Sequence, residues 1–271
     1  MGGVTTAPAE RGRGASMRGV SGVAAAVVAA ALNLCVGQAL AGSETAAPPP
    51  QHFLLFTGAD LWRNGGFAHA GTMWAPAGLD TDGFVLKLAI GGGLYRYRSG
   101  ALGDVEVTGR KLDAVILPGW RFRRGDLFVT VFAGLDWQRH KLLPDDPTAG
   151  LRGNYVGLKA AVELWHQPSP TAMLAADVAA TTVGPSYSAR LAYGWRLLDQ
   201  FYAGPEISGF TSNGNYQQVR AGIHVTGLNF SKFSRNYMAW LNYEWSAGLG
   251  FASDSDHRHS LYGRVSVIMR Q

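Results

Sequence analysis

The chain after residue 52 alternates between apolar and polar side chains over long stretches. Residues 186–197 show this most clearly, because Tyr187 and Trp195 share an apolar phase while Arg190 lies on the polar phase between them. Such period-two alternation is typical of a β-strand whose two faces meet different surroundings. The same pattern recurs at residues 153–166, 216–227 and 237–251.

The alternating runs and the turn residues between them predict twelve strands. The predicted strands cover residues 53–62, 67–75, 83–96, 105–121, 126–139, 153–166, 170–180, 186–197, 200–211, 216–227, 237–251 and 258–269. Turn-forming sequences such as Asn64-Gly65-Gly66, Arg124-Gly125-Asp126 and Asn213-Gly214-Asn215 separate them. An even number of antiparallel strands closes into a barrel with both chain ends on one side, which we expect to be the periplasm. The loop at 141–151 then faces outward, and ten strands is the alternative count.

The length of these runs favours a membrane barrel. They exceed the ~5–6 residues typical of soluble strands and reach the ~9–11 residues of a tilted spanning strand. Tryptophans also cluster near the predicted strand ends, where an interfacial girdle lies in membrane barrels; these are Trp62, Trp74, Trp120, Trp137, Trp165 and Trp195. The sequence therefore predicts an all-β, antiparallel, up-and-down transmembrane β-barrel. A soluble periplasmic β-sandwich that binds glycan is the alternative fold.

A triple glycine, Gly91-Gly92-Gly93, lies inside one predicted strand. A phosphate-binding loop needs a helix directly after its glycines, and no helix is predicted here. We expect these glycines to allow close packing against a bulky neighbour.

Composition agrees with a membrane barrel. The 271 residues are 47% hydrophobic and 16% charged and include 36 glycines, which is less charge and more glycine than in an average soluble domain. Three of the 24 Lys and Arg, and one of the 19 Asp and Glu, precede residue 42, so the remainder carries a net charge of +3. This small, dispersed charge argues against a nucleic-acid partner.

The N-terminal segment has the organisation of a signal peptide. Basic residues precede an apolar stretch at 20–36, and Ala39-Leu40-Ala41 forms an A-x-A cleavage site. We predict a signal peptide at 1–41, a disordered lead-in at 42–52 and an outer-membrane barrel domain at 53–271. A membrane anchor is the alternative, but the apolar stretch is short for a span of ~20 residues. Cys35, the one cysteine, lies within the signal peptide, so the mature chain would have no disulfide or thiol catalysis.

Six short strings, in order along residues 54–270, resemble the cellulose biosynthesis protein BcsS family of exported proteins. The strings are Gly58-Ala59-Asp60-Leu61-Trp62-Arg63, Trp74-Ala75-Pro76, Pro118-Gly119-Trp120-Arg121-Phe122, Tyr187-Ser188-Ala189-Arg190, Gly204-Pro205-Glu206 and Asp254-Ser255-Asp256-His257-Arg258. The resemblance implies a role in making or exporting a cellulose-like exopolysaccharide. It carries over no catalytic residue.

One cluster offers the residue types of a hydrolase or metal site: Asp254, Asp256, His257, His259 and Ser260. A nucleophilic serine must lie within hydrogen-bond reach of a histidine. Neighbours along a strand point to opposite faces, so His259 and Ser260 do not pair directly. We predict a solvated polar loop here, with no catalytic residue, metal or cofactor. An outer-membrane enzyme that acts on lipid or glycan is the alternative function.

Charged residues on the polar phase are predicted to face the barrel lumen. They are Lys87, Lys159, Glu163, Arg190, Arg196, Glu206, Arg220, His224, Glu244 and Arg264. Two interpretations stay open: a self-satisfying network of ion pairs, or a pore lining that contacts a sugar chain with help from Tyr155, Tyr202 and Tyr262. We predict a non-enzymatic barrel that supports cellulose biosynthesis or secretion, as a narrow channel or a structural partner. Its partners would be outer-membrane lipid, a cellulose or oligosaccharide chain, and cellulose-secretion proteins.

Overall fold

The computed structural model describes residues 50–212, 216–229 and 243–271. The predicted signal peptide and residues 42–49 of the lead-in lie outside the described residues. The predicted turn at 213–215 and the first residues of the predicted eleventh strand, 237–242, lie outside them as well.

Twelve antiparallel strands form one closed sheet. They are β1 (Phe53–Trp62), β2 (Gly65–Trp74), β3 (Gly83–Ser99), β4 (Val105–Arg124), β5 (Leu127–Leu143), β6 (Gly153–Ser169), β7 (Ala172–Thr181), β8 (Ser186–Leu197), β9 (Phe201–Ser212), β10 (Tyr216–Leu228), β11 (Tyr243–Asp254) and β12 (His259–Arg270). Each strand pairs with the next in sequence, and β12 pairs with β1. The predicted up-and-down barrel of twelve strands is confirmed. No helix in the described part of the chain is long and apolar enough to cross a membrane.

The strand ends differ in places from the prediction. The β1–β2 pairing runs to Trp62 opposite Gly65, so both glycines of the predicted Asn64-Gly65-Gly66 turn begin β2 instead. The pairing of β3 with β4 continues to Ser99 opposite Val105, beyond the predicted end of β3 at residue 96. We call the barrel end with Phe53 and Arg270 the terminal end and the opposite one the loop end.

The outer face of the barrel is an apolar band. Large hydrophobic side chains are exposed on it, among them Ile90, Ile116, Leu135, Leu158, Ile223 and Leu249. Strand pairing closes the sheet, so every strand has a partner on both sides and no open edge faces lipid. An apolar exterior and a sheet without edges are the two properties that a spanning β-structure needs.

The tryptophans divide between the two faces. Trp74, Trp120, Trp137 and Trp195 are exposed on the outside, as predicted for an interfacial girdle. The prediction is wrong for Trp62 and Trp165. Trp62 stacks on the interior Phe67 at 5.7 Å between ring centroids, and Trp165 lines an interior cavity. Both side chains lie on the interior phase of their strands. The closeness of a tryptophan to a strand end does not show which face of the sheet it is on.

The interior is also partly apolar near the terminal end. Met73, Val85, Leu117 and Phe132 form a buried cluster, together with Leu79 from the β2–β3 connection. Leu79 donates its backbone N–H to the carbonyl of Gln51, and His52 pairs through its backbone with Gln271 and Ala75. The last residues of the predicted lead-in are thus hydrogen bonded across this end of the barrel.

The triple glycine does allow close packing, as predicted. A Cβ added to Gly93 would lie 2.1 Å from the Gly66 carbonyl oxygen and 2.7 Å from a ring carbon of Phe67. Only a residue without a side chain fits between this aromatic ring and the β2 backbone.

Candidate functional site in the barrel interior

The candidate site is the charged interior, and Glu206 on β9 lies at its centre. Its side chain is only 1% exposed. One carboxylate oxygen accepts from Arg190 on β8 at 2.7 Å and from Arg264 on β12 at 2.5 Å. The other oxygen accepts from the hydroxyl of Tyr262 at 3.3 Å. Because β10 and β11 separate β9 from β12 in the sheet, the Glu206–Arg264 contact crosses the interior rather than following one strand pair.

Arg190 also contacts a carboxylate that the sequence analysis did not select. Its guanidinium lies 3.1 Å from Asp177 on β7, which is its direct cross-strand partner. Asp177 is also opposite Glu163 on β6. Asp177 is two residues from both Ala175 and Ala179, which face inward. Because side chains two apart on a strand share a face, this spacing could have assigned Asp177 to the lumen.

Lys87 on β3 forms an ion pair with Glu163 on β6. The two strands are separated by β4 and β5, so this pair also spans the interior. The ammonium lies 5.0 Å from the ring centroid of Phe56 and 5.5 Å from that of Phe132. Both distances fit cation–π contacts, and the lysine thus links the charged centre to the apolar cluster.

A third crossing joins Arg220 on β10 to Asp60 on β1 at 3.3 Å. Asp60 was present in a family-like string but was not selected as a lumen residue. The guanidinium carbon lies 4.7 Å from the ring centroid of Trp62, 5.4 Å from that of Phe210 and 5.5 Å from that of Tyr262. Three aromatic rings and one carboxylate therefore surround this arginine toward the loop end.

Four of the ten predicted lumen residues are not part of these crossings. Arg196 donates to the carbonyls of Pro170 and Asp199 at the terminal end. His224 contacts the Tyr193 carbonyl at 3.1 Å and the Thr226 hydroxyl at 2.9 Å. Glu244 is 3.9 Å from Arg270. Lys159 has no carboxylate within 4.0 Å in the described ranges.

A cavity of about 240 Å³ opens in the interior toward the terminal end. Glu163, Trp165, Asp177, Arg190 and Arg264 are among its lining residues. This volume is below the ~300–1,000 Å³ of typical small-molecule sites. Its combination of an aromatic ring with charged and hydroxyl groups resembles a polar pocket for one small molecule rather than a wide pore.

The three predicted stacking tyrosines do not share one surface. Tyr202 contacts Trp165 edge-on at 6.3 Å between centroids, next to the cavity. Tyr155 packs against His140 at 6.3 Å, toward the loop end. Tyr262 is 2% exposed and contacts Glu206. A continuous row of sugar-stacking rings along the lumen is not formed by these residues.

The candidate hydrolase cluster is built around a structural carboxylate. Asp254 accepts from the backbone N–H groups of Asp256 and Arg258 at 3.0 Å each. It also accepts from the Arg258 guanidinium at 3.1 Å and from the Tyr216 hydroxyl at 3.3 Å. These contacts hold the β11–β12 turn and occupy the carboxylate. The described residues contain no group of three or more metal-ligating side chains.

The loop between β5 and β6 is held by Asp146. Its carboxylate accepts from the Thr148 hydroxyl at 2.7 Å and the Thr148 backbone N–H at 3.0 Å. The other oxygen accepts from Tyr97 at 2.9 Å. These hydrogen bonds, led by the Thr148 hydroxyl, lower the pKa of Asp146 to about 2.

We expect this loop to loosen in acid. Because the folded loop lowers the pKa of Asp146 from 3.8 to about 2, its contribution to stability is full above pH ~4 and is lost as the pH falls through about 2. An NMR titration of the Asp146 carboxyl carbon should therefore have its midpoint near 2. Asp146→Asn should weaken the loop at neutral pH but not below pH 2. A midpoint near 4 would contradict the assigned hydrogen bonds.

The closed sheet, the apolar exterior and the charged interior define a transmembrane β-barrel of the outer-membrane class. A family model matches residues 54–271. The chain belongs to the cellulose biosynthesis protein BcsS family. Fold and family together make it an outer-membrane barrel of cellulose biosynthesis.

Solved structures with similar folds share little sequence with this chain. The KdgM porin is 9% identical with a TM-score of 0.41, covering 80% of this chain and 98% of the porin. The TodX deltaS2S3 mutant monoaromatic hydrocarbon channel is 10% identical with a TM-score of 0.48, covering 83% and 90%. The translocator domain of autotransporter NalP from Neisseria meningitidis is 13% identical with a TM-score of 0.44, covering 93% and 98%. No curated protein matches the chain.

Proposed function

We propose that this barrel supports cellulose biosynthesis without catalysing a reaction, as a structural partner of the secretion machinery whose lumen is closed to a glucan chain. The observation that carries the proposal is the set of side chains that meet across the interior. In the sheet, β10, β11 and β12 lie between β9 and β1. Yet Phe210 of β9 and Trp62 of β1 approach to 6.3 Å between ring centroids.

The number of strands supports the same conclusion. Eight strands leave an interior that side chains fill, whereas 16–18 strands enclose an aqueous channel. A barrel of twelve lies between these limits, so its side chains decide whether the lumen is open. In this barrel large side chains occupy the lumen. Arg220 lies among three aromatic rings, and Lys87 is paired with Glu163 beside Phe132.

A closed lumen predicts little ion conductance in a planar bilayer. Truncating the two rings that meet across the interior, with Trp62→Ala and Phe210→Ala together, should raise the conductance severalfold because it removes the contact near the loop end. Trp120→Ala truncates a lipid-facing tryptophan that is 50% exposed. It is the matched control, and its conductance should equal that of the wild type. A high wild-type conductance that the double variant does not increase would contradict a closed lumen.

The cellular role is tested by deletion in the native host, with surface cellulose as the readout. Loss of surface cellulose, restored by the wild-type gene and by Trp120→Ala, is the expected result. If the double variant also restores cellulose, a closed lumen is not required and only the partner role stands. Unchanged export after deletion would overturn the proposed function.

A narrow channel for small saccharides is the second candidate, and the terminal-end cavity favours it. The side chains of Asp177 and Glu163 are 48% and 30% exposed, so solvent reaches the carboxylates that line this cavity. Hydroxyl-rich sugars bind well to carboxylates and guanidinium groups beside an aromatic ring. A measurable wild-type conductance that cellobiose blocks would favour this function over the structural one.

A further inference from the structure

Five cations lie on the outward phase of three neighbouring strands near the loop end. They are Arg96 and Arg98 on β3, Arg110 on β4, and Arg139 and Lys141 on β5. Arg98 is directly opposite Glu106 on β4, and we call the other four residues the basic strip. Arg110 follows Leu112, and Arg139 follows Trp137, on the outward phase toward the loop end. The apolar Leu143 lies beyond the strip at the end of β5. The strip therefore borders the continuous apolar band on this side of the barrel, with Leu143 outside it.

The register brings these like charges together. Arg110 is directly opposite Lys141, and directly opposed residues have Cβ atoms about 4.5–5.5 Å apart. Arg110 is also opposite Leu94, which makes Arg96 its diagonal neighbour on β3, while Arg139 is its diagonal neighbour on β5. Like charges in such pairs destabilise a sheet. The stability of the barrel alone therefore does not explain why these cations are adjacent.

Carboxylates of the chain compensate at most one residue of the strip. Arg96 lies 4.0 Å from Glu106, and their side chains are 37% and 61% exposed. In the described ranges, no carboxylate lies within 4.0 Å of Arg110, Arg139 or Lys141. Equivalent outward positions near the loop end of β8 to β11 are uncharged; they are Tyr187, Thr211, Gln217 and Ser253. The positive charge is thus concentrated on one side of the barrel.

The depth of the strip identifies what it meets. Arg139 is two residues beyond Trp137, and at ~3.4 Å per residue in a strand tilted ~40° this is about 5 Å along the membrane normal. Tryptophan lies at the level of the headgroups, so the strip lies within the headgroup layer itself. If both termini lie in the periplasm, as the even strand number predicts, that layer belongs to the outer leaflet.

We propose that the basic strip binds the phosphate groups of lipopolysaccharide in the outer leaflet. Arginine donates two parallel hydrogen bonds to a phosphate, and lysine adds a compact charge. A phosphate between Arg110 and Lys141 would convert their repulsion into two attractions. The strip thereby fixes one side of the barrel against this lipid, independently of what the lumen does.

The test uses the folded barrel in neutral phosphatidylcholine vesicles, with and without bisphosphorylated lipid A. Arg110→Gln and Lys141→Gln together remove the opposed charges. In neutral vesicles this variant should unfold at a slightly higher urea concentration than wild type, because repulsion is relieved. With lipid A the order should reverse, since each cation near an anionic lipid surface contributes about fivefold in affinity. Arg63→Gln, which removes an exposed cation elsewhere at the loop end, is the matched control and should show no reversal.

The difference in stability between the double variant and the wild type should thus change sign when lipid A is added. A general effect on folding would instead change stability in the same direction in both kinds of vesicle. Dephosphorylated lipid A should behave like the neutral vesicles. The proposal is overturned if the double variant keeps the wild-type response to lipid A. The assignment to lipopolysaccharide is overturned if phosphatidylglycerol vesicles give the same response as lipid A.

Discussion

Glu206→Gln should lower the free energy of unfolding of the barrel by about 3–5 kcal/mol. The wild-type carboxylate is 1% exposed and accepts from both Arg190 and Arg264. The amide offers those guanidinium groups one neutral acceptor and turns an NH₂ donor toward them. Two cations then stay inside the barrel with one remaining carboxylate, Asp177, beside Arg190. Urea unfolding in lipid vesicles, followed by the mobility of folded and unfolded forms on gels, measures the change.

Two controls show whether the loss of stability comes from the unpaired charge or from altered packing. Glu106→Gln removes a carboxylate that is 61% exposed and 4.0 Å from Arg96, and should change stability by at most about 1 kcal/mol. Combining Glu206→Gln with Arg264→Met removes a charge of each sign and should recover much of the loss, because buried ion pairs are often replaceable by apolar groups. A double variant as unstable as the single one would refute the explanation by unpaired charge.

Leu135→Arg should lower the stability of the barrel in lipid by about 2–4 kcal/mol. Leu135 is 53% exposed in the apolar band of β5 and is opposite Ile116 and Leu158 on the adjacent strands. An arginine there places a charge among acyl chains. Urea unfolding in phosphatidylcholine vesicles measures the cost.

The same strand and face supply the control. Leu143→Arg makes the identical substitution at a residue that is 67% exposed at the end of β5, beyond Arg139 and Lys141. There the new charge meets headgroups and water, so the expected cost falls to about 0–1 kcal/mol. Equal costs at both positions would mean that Leu135 does not face the hydrocarbon core.

The two variants examine opposite faces of one sheet and respond to different surroundings. In vesicles of different thickness the cost of Leu135→Arg should change, because the depth of the charge changes. The cost of Glu206→Gln should not change, because the unpaired arginines lie inside the barrel.

Much of this architecture could be predicted from the order of residues. Alternation assigned Lys87, Glu163 and Arg190 to the polar phase, and the period of a strand is fixed by backbone geometry rather than by distant contacts. Turn residues and run lengths gave the strand number for the same local reason. The Trp girdle was predicted only in part, since Trp62 and Trp165 belong to the other phase.

The pairing of charges could not be predicted in this way. Arg264 and Glu206 are 58 residues apart, and Arg220 and Asp60 are 160 apart. Which carboxylate meets which cation depends on the stagger of every strand between them and on the closure of β12 against β1. The same holds for the basic strip, where the register of β4 with β5 brings Arg110 opposite Lys141.

The sequence by itself determined the two faces of each strand and the number of strands, because period-two alternation and turn chemistry act over a few neighbouring residues. Only the tertiary structure decided that Trp62 meets Phe210 and that Lys87 meets Glu163 inside the barrel. It also decided that Met73, Val85 and Phe132 make part of the interior apolar. These contacts arise from barrel closure, which brings distant strands within the reach of a side chain.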